Sequence, residues 1–410
     1  MRIFTAVRHS FDPSFYYGRL WSDNFHPALR RLGHELVESG VDLLPASRFM
    51  DAQKPFTREE QQVRAAITDR IVDEITTAHA KAPLDLVLTY FYDSHFDPSG
   101  FSAIRRLGVP TVNFYCNSIH QFELANEISR AVDFAWHAER DAASKYRSVG
   151  ANPVWIQMAA DPAIYHPVDV GQRRPAACFV GQRYADRPRW VRLLMRENVP
   201  VEVYGSGWIG ASVNSASPAT TVPGPSLGRR TVMPGSARAY LESVRSNLAS
   251  SGVAGGVTRT LRQIAERLQS RKLSELTKAV AHGPVSFEDM LRLFSGCELI
   301  LNFSNVWADG RAGSELVPHV RLRDFEVPMC RGCYLTGHTD ELQEFYEIGT
   351  EIETYRTPEE FIDKAKHYLS NPRDAERLRS AGYRRATQDH TWERRFLKLF
   401  EAIGASADIS

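Results

Sequence analysis

The sequence has no apolar run near the ~20 residues that a membrane-spanning helix needs. It also lacks a signal-peptide pattern, because charge interrupts the stretch from Met1 to His9 too early. Cytoplasmic is therefore the expected location. Charge bias is missing as well. Fifty Lys and Arg meet 49 Asp and Glu for a net charge of +1, so no global positive field gathers phosphates and a dedicated nucleic-acid binder is disfavoured. Cysteine is scarce: Cys116, Cys178, Cys297, Cys330 and Cys333 are odd in number and scattered, which fits a reducing compartment better than a disulfide framework. Cys330 and Cys333 have C-x-x-C spacing, but no second pair or matching histidines completes a zinc site. No metal is expected.

What is present is the composition of a soluble globular protein, 43% hydrophobic and 24% charged over 410 residues. That length predicts two α/β domains of roughly 170–220 residues. Residues 2–7 read as a strand, and Ala28 to Val37 as a helix stopped by Gly40. A strand at 41–44, a helix at 59–80 and strands at 84–90 and 109–115 follow. Near 158–175 the chain turns polar and Pro-containing, the best linker candidate. A second alternation then begins: strand 176–180, helix 187–197, strand 201–204, helix 287–295, strand 298–303, helix 320–329, strand 333–336, and closing helices at 358–369, 373–388 and 391–400. Strands separated by helices imply parallel sheets with right-handed crossovers. The expected division is an N-terminal domain at 1–165 joined by the last helix (391–410), and a C-terminal domain at 166–390.

One stretch, 209–282, breaks the rhythm. Residues 209–228 carry no charge and are rich in Ser, Pro, Thr and Gly, which predicts a mobile loop. Between Arg229 and Lys278, ten Lys/Arg face three Glu, on two expected amphipathic helices. This insertion reads as a solvated helical hairpin, or as a basic surface for phosphates or for peripheral membrane contact.

Ligands in parallel sheets sit at the carboxyl ends of strands. After the strand at 176–180, Gly181 opens a turn where backbone can approach a phosphate, with Arg183 and Arg187 near the next helix. Arg321-Leu-Arg323-Asp324-Phe325-Glu326 sets cations ahead of a carboxylate within one turn, which suits a diphosphate followed by ribose hydroxyls. In the N-terminal half the acid–base candidates at strand ends are His9, Asp93, His95 and His120. The aromatic loop with Tyr16, Tyr17 and Trp21 is a candidate acceptor surface by stacking.

From about Ala177 onward the ordered motifs resemble the group-1-like glycosyltransferases, in particular the spore-maturation-protein (CgeB-like) branch. They are Phe179-Val180-Gly181 with Arg187, Val203-Tyr204-Gly205-Ser206-Gly207-Trp208, and Gly283 to Met290. Next come Leu301 to Ser304, Arg321 to Glu326, Tyr334 to Thr336, and Phe345 to Ile352. The resemblance implies a GT-B fold of two Rossmann-like domains facing across a cleft, with a nucleoside-diphosphate sugar as co-substrate in the C-terminal one. The acceptor, a small molecule, glycan or lipid-linked group, would lie in the N-terminal one. It also implies ribose binding by Glu326, diphosphate binding by Arg323 and Arg187, and base contact near Pro284 and Val285. Gly205 and Arg321 complete the expected donor site. No metal is implied, and no convincing Asp-x-Asp strand end is present. Related retaining enzymes carry a second glutamate upstream, where this sequence has Pro318, so its contact to the sugar is expected either to be missing or to be supplied by His319. The competing expectations on this fold are an inactive nucleotide-binding partner and a sugar-nucleotide epimerase.

Overall fold

The computed structural model describes residues 1–12, 16–52, 54–209, 258, 261, 265, 273, 275–308 and 314–405. The side chains of Tyr16 and Tyr17, two of the acceptor candidates, lie outside what it describes, as do the loop expected at 210–228 and nearly all of the basic helices expected at 229–278. The chain divides into two compact units, one of residues 1–158 with 392 onward, the other running from 159 to 391 apart from residues 218–230.

The N-terminal unit is a six-stranded sheet in the order β2-β1-β3-β4-β5-β6. Its strands are β1 (Arg2–Ala6), β2 (Glu35–Glu38), β3 (Leu86–Thr89), β4 (Thr111–Tyr115), β5 (Phe134–His137) and β6 (Pro153–Trp155), and every pair is parallel. The strand expected at 41–44 is not there. The helix Leu20–Arg31 starts eight residues earlier than its periodicity predicts and stops at Gly33, whose φ of +80° only glycine adopts without strain. The chain therefore turns back one element sooner, Glu35–Glu38 forms the edge strand, and Val41 and Leu43 are buried in a loop. The helix Arg58–Lys81 begins in a reciprocal cap: Glu60 N donates to Thr57 Oγ1 and Thr57 N to Glu60 Oε2. Its Ile67, Ile71 and Ile75 are buried against Phe91, Phe96 and Phe101.

The last helix, Trp392–Ala402, is built into this unit. Trp392 and Phe396 pack on Phe25, with ring centroids 4.8 and 5.2 Å away. The Trp392 indole donates to Asn24 Oδ1 at 3.0 Å, and buried Arg395 donates to the carbonyls of Gln157 and Met158.

The C-terminal unit has the sheet order β14-β13-β10-β7-β8-β9. Its strands are β7 (Arg174–Val180), β8 (Val201–Tyr204), β9 (Ala281–His282), β10 (Cys297–Asn302), β13 (Tyr334–Gly337) and β14 (Glu353–Tyr355), all parallel. A short antiparallel hairpin, β11 (Asn305–Trp307) with β12 (Leu316–Pro318), follows β10. The core joins Phe179, Val203, Trp208, Leu301, Phe303, Leu335, Tyr355 and Phe361.

Among the described residues no helix is long and apolar enough to cross a membrane. All five cysteines are buried free thiols. Burial pushes Cys330 upward and Cys333 to about 12, so the C-x-x-C pair packs inside the unit as unreactive small residues.

Candidate functional site

In the C-terminal unit the chain leaves β7 toward β8 and β9 on one side, then returns to β10, β13 and β14 on the other. The loops at the carboxyl ends of β7 and β10 therefore part from one another, and such a reversal is where parallel sheets open to ligands. The β7 exit is held firmly. Gly181 N donates to Tyr204 O at 2.8 Å, Arg183 N to Ser206 O at 2.9 Å, and the Trp208 indole to Gly181 O at 2.8 Å. Gly205 has φ +139°, and a Cβ there would lie 2.3 Å from Gly181 O, so no other residue fits. At the β10 exit, Ser304 Oγ donates to Gly337 O at 2.8 Å, and Asn305 Nδ2 donates to Asp186 Oδ2 at 2.7 Å. Asp186 Oδ2 also accepts from the Trp190 indole at 2.9 Å.

Three arginines converge on this frame. Arg187 opens the helix Arg187–Arg196 and is only 8% exposed. Its Nη1 donates to Gln182 O at 2.7 Å, and the guanidinium lies 5.3 Å from the Phe179 ring and 5.7 Å from that of Tyr184. Burial, reinforced by the charges of Arg321 and Arg323, lowers its pKa to about 9. It makes no ion pair among the described residues. A buried cation next to two like charges is costly unless an anion joins them. Arg321 donates through Nη2 to Asn305 O at 3.2 Å. Arg323 pairs with Glu326, and its guanidinium stacks 5.2 Å over Phe294.

Two carboxylates lie on the same segment. Asp324 is fully buried; its Oδ1 accepts from Tyr334 at 2.7 Å and Thr336 at 3.1 Å, and its Oδ2 from Arg321 N at 2.6 Å. Burial raises its pKa, the bonds offsetting part of the shift. Asp324 thus fixes the start of the helix Arg323–Met329. Glu326, also buried, gives Oε2 to Arg323, and its Oε1 makes no hydrogen bond among the described residues.

Of the residues the sequence singled out for a donor, Gly181, Arg183, Arg187, Gly205, Arg321, Arg323 and Glu326 lie on these loops. His319 is buried just ahead of Arg321. Pro284 and Val285 follow Gly283, whose carbonyl accepts from Gly205 N at 3.1 Å. Val285 itself lines a cavity of about 510 Å³ with Arg174, Tyr204 and Arg292, which includes none of the three arginines. Sequence reading missed Asp186, Asn305, Asn302 and Thr336. Asp186 alone carried a signal, as a carboxylate directly before a helix that starts Arg187-Pro188.

The N-terminal unit reverses between β1 and β3, and His9 sits there. Its ring stacks on Tyr90 with centroids 4.8 Å apart, and Nε2 donates to Tyr90 O at 2.6 Å. The lone pair of the neutral ring is therefore on Nδ1, which makes no hydrogen bond among the described residues. Burial lowers the His9 pKa to about 4. Two other candidates are engaged within the unit. His95 is fully buried, with Nε2 on Ser47 Oγ at 2.8 Å and Nδ1 accepting from Tyr92 N. Asp93 is buried, pairs with Lys54, and accepts from Glu127 N and Ile128 N to cap the helix Asn126–Ala131. Both hold the fold and neither offers a reactive atom. Trp21 is likewise core, packed on Phe114 at 4.7 Å and Tyr90 at 5.5 Å, and presents no stacking face. His120 lies on the short helix Ser118–Gln121 after β4.

Residues 241–401 match the glycosyl transferase-like family. Solved structures share the fold along the whole chain. Sucrose-phosphate synthase from Thermosynechococcus elongatus is 12% identical, with 99% of this chain and 100% of that one covered and a TM-score of 0.53. A glycosyltransferase from Rickettsia africae is 10% identical over 100% and 99%, with a TM-score of 0.56. Anabaena Alr3699/HepE, in complex with UDP and glucose, is 9% identical over 99% of each chain, with a TM-score of 0.52. No curated protein matches the sequence. The chain has the GT-B fold of these structures, and its segment 241–401 is similar to the glycosyl transferase-like family.

Proposed function

We propose that the protein transfers a glycosyl group from a nucleoside-diphosphate sugar whose diphosphate is held between the exits of β7 and β10. The convergence of Arg187, Arg321 and Arg323 carries this reading, because three cations meet one paired carboxylate, Glu326 on Arg323, and a diphosphate supplies further negative charge. In this reading Glu326 Oε1 accepts from a ribose hydroxyl. The arginines neutralise the leaving phosphate themselves, so activity persists in EDTA. The solved complexes of Alr3699/HepE with UDP and with UDP-glucose support a nucleotide donor on this fold. In the N-terminal unit, His9 Nδ1 is the proposed partner of the acceptor hydroxyl, being the candidate with an uncommitted lone pair at that unit's strand reversal. Within the class we place the chain in the spore-maturation-protein branch, on the ordered motifs from Phe179 to Ile352, and in the cytoplasm, on its buried free thiols. The test is release of nucleoside diphosphate from a panel of nucleotide sugars by wild type, Glu326→Gln and Arg323→Ala. Turnover of one donor, cut at least tenfold in both variants, is expected. Equal turnover by both variants overturns the assignment.

A further inference from the structure

Two buried polar atoms on consecutive residues at the β7 exit have no hydrogen-bond partner: Asp186 Oδ1 and Arg187 Nε. Both residues are 8% exposed, and both are otherwise well fixed. Asp186 spends Oδ2 on Trp190 and Asn305, and Arg187 spends Nη1 on Gln182 O. A buried carboxylate oxygen and a buried guanidinium N–H each cost stability when unsatisfied. Such atoms call for a water, an ion or a ligand to complete the bonds. The two atoms ask for complementary things, one a hydrogen-bond donor and the other an anion.

We propose that Asp186 and Arg187 form one bipartite subsite, in which Arg187 takes a phosphate oxygen and Asp186 Oδ1 accepts a hydrogen bond from a hydroxyl of the same ligand. This deepens the donor reading above and rests on it. The ligand chemistry is a phosphate ester carrying a nearby hydroxyl. In a nucleotide sugar that hydroxyl comes from the ribose or from the transferred sugar. A carboxylate at this place also repels a bare phosphate group. Asp186 thus selects donor over free pyrophosphate, which arginines alone do not do.

The test is calorimetric titration of the full chain, wild type and Asp186→Asn, with pyrophosphate, UDP and UDP-glucose. Asparagine keeps an oxygen for Trp190 and Asn305 and replaces Oδ1 by an N–H donor. The proposal expects pyrophosphate affinity to hold or rise, and the affinity of a hydroxyl-bearing ligand to fall about tenfold or more. A fall for UDP and UDP-glucose alike assigns the hydroxyl to the ribose, and a fall for UDP-glucose alone assigns it to the sugar. Unchanged affinity for both, or a parallel fall for pyrophosphate, overturns the subsite. Wild type that binds none of the three overturns the donor reading itself for a uridine donor, and the subsite with it. Should Asp186→Asn not fold, wild type titrated with UDP lacking both ribose hydroxyls and with UDP-2-deoxyglucose decides the matter. At least one must bind about tenfold more weakly than its parent, and equal affinities reject the proposal.

Discussion

Asn305 Nδ2 donates to Asp186 Oδ2 at 2.7 Å, and this bond ties together the exits of β7 and β10, the strands between which the chain reverses across the C-terminal sheet. The arginines that define the site hang from those two loops. Replacing Asn305 by Ala leaves Asp186 Oδ2 with the Trp190 indole alone. The expected cost is about 1–2 kcal/mol of stability, and nucleotide affinity falls several-fold because Arg187 and Arg321 lose their common brace. Denaturant unfolding and calorimetry on the same preparation check both.

Gly205 allows a second test of the frame. An alanine there brings its Cβ against the Gly181 carbonyl in a backbone conformation that L side chains rarely adopt. Gly205→Ala is expected to cost about 2–4 kcal/mol and to abolish nucleotide binding. Gly283→Ala, with nothing within 4 Å of the added carbon, leaves both nearly unchanged. Thermal melts of the two variants side by side measure the contrast.

Arg187 predicts a trade between stability and function. Its depressed pKa, about 9 through burial and like charge, means that at every pH below that value the side chain is still charged and its charge costs the folded state stability relative to the unfolded chain. Arg187→Met removes the charge and keeps much of the stem. The melting temperature is expected to hold or rise, by about 1 kcal/mol or more in stability, while nucleotide affinity collapses.

Histidines make the N-terminal unit acid-sensitive. Burial holds His9, His26 and His137 at about 4, against 6.5 in the unfolded chain. Between those values the unfolded chain binds protons that the folded unit refuses, so the stability present above pH 6.5 is lost as pH falls toward 4. His137 is fully buried, and a ring so placed is worth about 3 kcal/mol across that window. His137→Gln is expected to flatten the decline of melting temperature between pH 6.5 and 4.5, though it lowers stability at pH 7.

The strands and helices that alternate cleanly were legible from periodicity. Residues 201–204 form β8 as expected, and the helices at 187–196, 287–296 and 358–370 differ from expectation by one residue at an end. The short pieces were not: β5, β6, β14 and the hairpin β11–β12 have three or four residues each, too few for a period to show. The edge strand β2 was misplaced because Gly40 was read as the helix stop, whereas the chain turns at Gly33, where φ is +80°. The Arg-rich motif and the glycine turns were legible as residue types, and the structure brings Arg187 near Arg321 and Arg323. Asp93, His95 and Trp21 were not legible in this way. A polar or aromatic residue near a strand end looks the same in sequence whether it faces a substrate or is buried and packed, as these three are.

The most direct test of the account is titration of the wild-type protein and Arg187→Met with UDP, GDP, dTDP, ADP and CDP, with a melting curve for each preparation. The account predicts that wild type binds at least one diphosphate, and that Arg187→Met loses at least tenfold in affinity for it with a melting temperature equal or higher. A wild type that binds none of them, or a variant that binds equally well, contradicts a donor site between β7 and β10.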